Sequence, residues 1–227
     1  MKRKTGIRWA GLVVFIILLA AGAVFYYIRF LKVEPAPLLE EVMKKAYQAE
    51  SYRYKLNADL DMGGKKKSWI KVQGECASDN YHFKGETLGT PVEIYQIGLK
   101  SYTKDPVSGK WTVLEGVDLT QQQLFMAEID PLSNFRFKTM EEPRLIGKEK
   151  VEGRKCWVLE AKADVESKYM QAWWQDFTYR FWIDKGKHVL LQAQATAKSK
   201  NSSDTTLTMT VNFSDYNKKI KISPPIR

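Results

Sequence analysis

From Ser51 onward the hydrophobic period of the chain is two. Tyr52, Tyr54, Leu56, Ala58, Leu60 and Met62 alternate with Arg53, Lys55, Asn57, Asp59 and Asp61, the pattern of a strand with one buried and one wetted face. Gly63-Gly64 then supplies a hairpin turn, and Ile70, Val72, Gly74 and Cys76 carry the alternation back along a second strand. Further short strands are expected around residues 81–84, 91–97, 99–104 and 110–114. They are separated by Ser78-Asp79-Asn80, Gly89-Thr90-Pro91 and Asp105-Pro106-Val107-Ser108-Gly109, all turn-forming clusters. Strand and turn recurring this regularly specify an antiparallel meander.

Three helices interrupt the pattern. Leu38, Leu39, Val42, Met43, Ala46 and Tyr47 lie at helical spacing between charged residues. Leu119, Leu124, Phe125, Met126 and Ile129 suggest a short helix over Asp118–Ile129, stopped by Pro131. A third is expected from an Asp164 N-cap through Val165, Tyr169, Met170, Trp173 and Trp174. Strands resume at 144–150 and 155–161 and close the chain at 178–184, 188–197 and 205–213, with a tail strand near Ile220 and Ile222. The fold class is α+β: about ten antiparallel strands and about three helices in one domain, 38–227. A sheet that long must curl to hide its faces, as a barrel or as a half-barrel wrapped on helices.

Ahead of this domain, Trp9 to Ile28 are twenty residues without a formal charge. As a helix they would extend about 30 Å, the thickness of a bilayer's hydrocarbon core. Lys2, Arg3, Lys4 and Arg8 precede the run while only Arg29 and Lys32 follow closely, so the expected topology is a single-pass anchor with a cytoplasmic N-terminus and an extracytoplasmic body. The rival is a cleaved signal peptide, because Ala21-Gly22-Ala23 has the small-x-small pattern of a cleavage site. No cysteine stands near the run to receive a lipid. Residues 1–32 thus form a stub and transmembrane anchor, and the two prolines of 33–37 read as a stiff spacer.

This segment changes the meaning of the charge. The chain has 227 residues, 36 Lys plus Arg against 26 Asp plus Glu, and a net +10, which taken whole suggests an acidic partner. Six basic residues and no acidic one fall in 1–32, so the body carries 30 against 26. Nucleic acid is not indicated. Lys65-Lys66-Lys67 at the first hairpin tip is a solvated turn in the simplest reading and a contact for anionic headgroups in the other.

Chemistry-bearing motifs are scarce. His82 and His188 are isolated, without metal-ligand spacing to Cys, Asp or Glu. There is no Gly-x-Ser-x-Gly elbow, phosphate loop or His-Glu-x-x-His, so neither an enzyme nor a cofactor is expected. A hydrolase would need His82 or His188 among carboxylates in a cleft. The two cysteines, Cys76 and Cys156, are small buried hydrophobes in the simplest reading. If bridged they would close a loop of about 80 residues, worth roughly 4.5 kcal/mol. The aromatic load, with Trp69, Trp111, Trp157, Trp173, Trp174 and Trp182 beyond the anchor, suits a curled sheet enclosing an apolar cavity.

Three stretches carry a resemblance: Leu99-Lys100-Ser101-Tyr102-Thr103-Lys104-Asp105-Pro106-Val107-Ser108-Gly109-Lys110-Trp111, Tyr179-Arg180-Phe181-Trp182-Ile183-Asp184-Lys185-Gly186, and Val211-Asn212-Phe213-Ser214-Asp215-Tyr216 leading to Pro224-Pro225. In order and spacing the chain resembles LppX/LprG-type lipoproteins and, more distantly, LolA/LolB-like lipoprotein carriers. The resemblance implies an incomplete antiparallel barrel whose helix-covered concave side receives acyl chains of lipids or lipoproteins. It places Tyr54, Leu56, Ile70 and Val72 in the lining, and Phe125, Met126, Trp173 and Trp174 as covering residues. Trp69 stands on the opposite parity from Ile70 and Val72, which leaves the inward face open. The function expected is a membrane-anchored lipid or lipoprotein carrier at the outer face of the cytoplasmic membrane; the alternative is an envelope sensory or protein-interaction module whose cavity is filled.

Overall fold

The computed structural model describes Ile17, Leu19, residues 33–119, Glu128 and residues 130–226. All of the expected anchor over Trp9–Ile28 but Ile17 and Leu19, most of the expected helix over Asp118–Ile129, and both Phe125 and Met126 lie outside the described residues. Among those described, no helix is long and apolar enough to cross a membrane. The chain divides into two units, Met1–Glu34 and Pro35–Arg227.

The second unit opens with α1, Pro35–Tyr47, which buries Leu38, Leu39, Val42, Met43 and Ala46. The spacer is therefore shorter than expected. Pro35 and Pro37 occupy the first helical turn, where backbone N–H groups have no intrahelical partner and a proline ring loses nothing. Lys44 and Lys45 fall in the last turn, facing the negative end of the helix dipole.

Six strands follow as a meander: β1 Ser51–Met62, β2 Lys65–Ala77, β3 Asn80–Thr87, β4 Thr90–Ile97, β5 Lys100–Lys104 and β6 Trp111–Glu115. Gly63 and Gly64 both have positive φ, 60° and 87°, the geometry of a two-residue turn whose twist matches its strands. A 3-10 turn over Pro131–Phe135 precedes the second meander: β7 Phe137–Met140, β8 Arg144–Val151, β9 Arg154–Val165, β10 Trp174–Asp184, β11 Leu190–Ser199 and β12 Thr205–Ser214. The short helix α2, Lys168–Trp173, stands between β9 and β10.

All twelve strands form one sheet in the order β6-β5-β4-β3-β2-β1-β12-β11-β10-β9-β7, with β8 also on β9. Every recorded pairing is antiparallel. One long-range seam, β1 on β12 from Arg53↔Ser214 to Met62↔Thr205, joins the two meanders. The sheet curls strongly. Trp69 on β2 and Trp174 on β10 are four strand spacings apart in the ladder, about 19 Å if it were flat, yet their ring centroids lie 6.4 Å apart.

Several expectations change in detail. The third helix does not begin at Asp164: β9 runs on to Val165, Ser167 caps α2 by accepting from the Met170 N–H, and Trp174 already belongs to β10. Ile220 and Ile222 form no strand. The cysteines are free. Cys76 faces Tyr52 across the β1–β2 ladder, whereas Cys156 is on the other face, five strand spacings away along the ladder, well beyond disulfide reach.

The main core lies on the face that carries Leu56, Val72, Val211, Ala193, Phe181 and Leu159, which are neighbours across successive strands and all buried. We call it the inner face. A smaller core on the outer face joins Cys156, Val158, Trp182 and Leu191 to Val151 and Val189, and the Trp182 indole N–H donates to Glu149 Oε2 at 2.7 Å. Trp182→Phe should lower unfolding stability by about 1.5–3 kcal/mol, the range for a hydrogen bond to a charged acceptor, as read from the urea midpoint by circular dichroism.

Candidate functional site

The inner face supplies the candidate site. Alternation along β1 and β2 directs Tyr54, Leu56, Ile70 and Val72 to this one face, where all four are buried. The parity conflict of Trp69 has a local cause. The β1–β2 register shifts at Ala58/Asp59, where Ala58 pairs Ile70 and Asp59 pairs Ser68; the bulge leaves Trp69 unpaired and re-aims it.

Small side chains occupy the middle of the face. Ala58, Ala161, Ala163, Ala193, Ala195 and Ala197 are buried there, interleaved with Met209, Tyr179 and Phe181. Alanines on neighbouring strands leave the sheet with little side-chain bulk in the middle of the curl. Trp174 is buried at the mouth against Trp69, while Trp173, at the end of α2, is half exposed. The structure thus brings together Tyr54, Leu56, Ile70 and Val72, sets Trp174 at the rim and turns Trp173 outward.

The described residues between β6 and β7 meet the sheet through both apolar and polar groups: Phe135 packs edge-on against Tyr179 and Phe181 and Leu119 and Leu132 are buried, while several side chains make hydrogen bonds. Tyr54 Oη donates to the Glu128 carbonyl, and Tyr52 Oη donates to Asp130 Oδ1 at 3.0 Å. The Gln96 amide donates to Gly98 O at 2.7 Å and Val117 O at 2.9 Å, and its oxygen accepts from the Leu119 N–H at 3.3 Å. Tyr47 Oη of α1 donates to the Phe135 carbonyl at 2.5 Å. Burial raises Tyr52 and Tyr54 well above the usual phenol range, with the Asp130 charge adding to it. Burial likewise pushes the Cys76 thiol up to about 12 and the Glu128 carboxyl up to about 7. Asp130 is also raised by burial, against the lowering effect of the Tyr52 hydrogen bond.

These polar anchors, Gln96, Glu128 and Asp130, were not among the expected site residues. Gln96 was readable in principle: it shares the parity of Ile94 on β4, so a polar group stands where an apolar one is expected. Nothing in the spacing of Glu128 and Asp130 marks them as buried.

Two grooves flank the core. One of about 670 Å³ lies between α1 and the edge strand β7, floored by Leu39, Met43, Phe135 and Phe137 and edged by Glu40, Glu141, Glu142 and Glu166. Another of about 750 Å³, on the outer face of β1–β4, is polar and lined by Lys55, Lys71, Lys84, Lys104, Gln73 and Glu93 among others.

His82 is on the outer face between Glu75, 3.8 Å from Nδ1, and Glu93, 3.4 Å from Nε2. Both carboxylates already pair with Arg53 and Lys104, and the ring stacks on Tyr95 at 3.9 Å. His188 has one carboxylate, Glu41, at 3.8 Å. Neither ring is hydrogen-bonded to a hydroxyl or thiol among the described residues, and none of those residues form a group of three His, Cys, Asp or Glu suited to a metal ion.

No family model and no curated protein matches the sequence. Among solved structures, the chain superposes on the lipoprotein LppX of Mycobacterium tuberculosis with a TM-score of 0.57 at 11% identity, over 83% of this chain and 97% of that one. LprF of Mycobacterium bovis gives 0.55 at 12%, over 85% and 97%. A LolA-superfamily protein of Nitrosomonas europaea overlaps far more loosely, with a TM-score of 0.37 at 13% identity over 85% and 96%. At these identities, what the chain shares with LppX and LprF is the fold: a curled, open antiparallel sheet with few helices.

Proposed function

We propose that this protein is a non-enzymatic carrier that holds an acyl chain of a lipid or lipoprotein against the inner face of its sheet, in the fold it shares with LppX and LprF. The observation that carries the reading is the composition of that face. Alanines at 58, 161, 193 and 195 floor the middle of a tight curl, where an acyl chain meets few side-chain atoms of the sheet.

Tyr54, Leu56, Ile70 and Val72 form part of the lining, and Trp174 stands at the mouth. Trp173, Phe125 and Met126 belong to the covering side in this reading. The apolar run Trp9–Ile28 is the anchor, which keeps the body at the outer face of the cytoplasmic membrane and limits transfer to partners at that surface. No covalent step is involved.

The test is the co-purified ligand. Native mass spectrometry of the full chain taken from its host membrane should show bound lipid, and an acyl-chain fluorophore should bind the emptied protein. Ala195→Leu should weaken fluorophore binding while lowering stability by about 1–3 kcal/mol, the usual range for added methylenes. No co-purifying lipid and no fluorophore binding would overturn the proposal and leave the interaction module with a filled core.

A further inference from the structure

One end of the curled sheet gathers four turns that are far apart in sequence. The Leu88 N–H donates to Trp69 O at 2.7 Å, the Gly63 N–H to Asp204 O at 2.9 Å, and the Lys200 N–H to Trp173 O at 2.9 Å. These bonds link the β3–β4 turn, the β1–β2 tip, the β11–β12 tip and α2 into one rim. It is the same end at which Trp69 and Trp174 meet across the curl.

The rim sets exposed apolar side chains beside a run of lysines. Leu88, Trp173 and Met62 are 62%, 50% and 43% exposed, although large apolar side chains at turn tips gain nothing from water. Leu88 also holds φ at +53°, a conformation disfavoured for a branched side chain. Beside them stand Lys65, Lys66 and Lys67, all exposed and without an ion pair among the described residues. The β1–β2 hairpin extends beyond β3, since β2 runs five residues past its last pairing with β3 at Ile70, while β1 stays paired to β12 as far as Met62↔Thr205. Lys198 is paired with Asp176 at 3.3 Å. Apolar tips ringed by unpaired lysines match the layering of an anionic bilayer, in which acidic headgroups overlie hydrocarbon.

We propose that this rim docks on an anionic lipid surface: Leu88, Trp173 and Met62 enter the headgroup region, Lys65, Lys66 and Lys67 meet its phosphates, and the mouth spanned by Trp69 and Trp174 opens onto lipid. What passes through the mouth rests on the carrier reading above; the docking does not.

The full chain is reconstituted in phosphatidylcholine vesicles with either none or about a third phosphatidylglycerol. A dye on Ser202→Cys, at the β11–β12 tip, reports proximity to headgroup-labelled lipid; Cys76 and Cys156 are buried and stay unlabelled. Each lysine close to an anionic surface is worth about a fivefold gain in binding, so the docked fraction should rise with phosphatidylglycerol and fall again in high salt. Lys65→Glu, Lys66→Glu and Lys67→Glu together should lower the docked-to-undocked ratio at least tenfold. Reversal of Lys148, Lys150 and Lys155, at the other end of β9, should leave it unchanged. Leu88→Ser with Trp173→Ser should weaken docking without removing its salt dependence. Equal docking on both vesicles, or equal loss from the two triple reversals, would overturn the proposal. Acyl-fluorophore binding is measured on the same samples. If it fails in every protein while anionic docking persists, the carrier reading falls and the docking stands.

Discussion

Gly74→Ala is expected to cost about 3 kcal/mol and to loosen the cover of the inner face. A methyl on Gly74 would sit 2.4 Å from both Cζ and Oη of Tyr54 and 2.7 Å from the His82 carbonyl oxygen. Neither neighbour can give way cheaply. Tyr54 is 2% exposed, and the carbonyl belongs to the β2–β3 ladder, in which Gly74 pairs Phe83. The Tyr54 ring lies across β2 because residue 74 has no side chain, and that position brings its hydroxyl to the Glu128 carbonyl. Displacing the ring breaks this hydrogen bond and strains a packed site, a combination in the upper part of the range for single substitutions. In a domain of this size the loss corresponds to a fall of roughly 6–12 °C in Tm. If the carrier reading holds, acyl-fluorophore exchange should accelerate in the same variant. Combining it with Tyr54→Leu should be less harmful than the two losses summed, because the second change removes the clash made by the first. Full additivity in thermal melts would show that the ring and residue 74 do not interact.

The second large effect is a pH dependence centred on Glu128. Burial holds its carboxyl at about 7, against an ordinary value of 4.5, so the folded state keeps a proton that the unfolded chain releases. Its contribution to stability is fully present below about 4.5 and is lost as the pH rises through about 7. The full difference is about 3 kcal/mol. Asp130, raised by burial and partly restrained by the Tyr52 hydrogen bond, acts in the same direction; Asp184, lowered by its backbone donors and Arg154 against the burial that raises it, acts in the opposite one at acid pH. Urea midpoints between pH 5 and 8 should decline for the native protein. Glu128→Gln should remove most of the slope and be the more stable protein at pH 8. Parallel curves for the two would dissociate the slope from this carboxyl.

Much of the sheet could be read from alternation alone. Each strand from β1 to β6 begins and ends within about five residues of its expected place, since Tyr52 to Ala58 and Ile70 to Cys76 each bury one parity. The errors arose where one residue carries two signals. Asp164 has the chemistry of an N-cap, but Val165 still pairs Phe137, so β9 continues and the cap falls on Ser167. Pro35 and Pro37 break helix interiors and are tolerated at helix starts. Phe137–Met140 is too short for alternation to be visible and exists because the edge of β9 is there to pair with. The shared face of Tyr54, Leu56, Ile70 and Val72 was legible as a parity. The curl that brings Trp69 to Trp174 was not, because it accumulates over four ladders and has no signature in any one of them. Nor were the hydrogen bonds of Tyr52, Tyr54 and Gln96, whose partners lie far along the chain.

The seam between β1 and β12 divides the molecule in a way that neither meander shows by itself. Within each half most pairings are hairpins between strands adjacent in sequence, so each can assemble locally, whereas the seam must close a loop of about 160 residues before Arg53 meets Ser214. Folding should accordingly be slow at the step that zips β1 to β12. A chain severed between Glu115 and Pro131 would become two six-stranded fragments able to recombine through that seam, making the protein a natural candidate for complementation by separately produced halves.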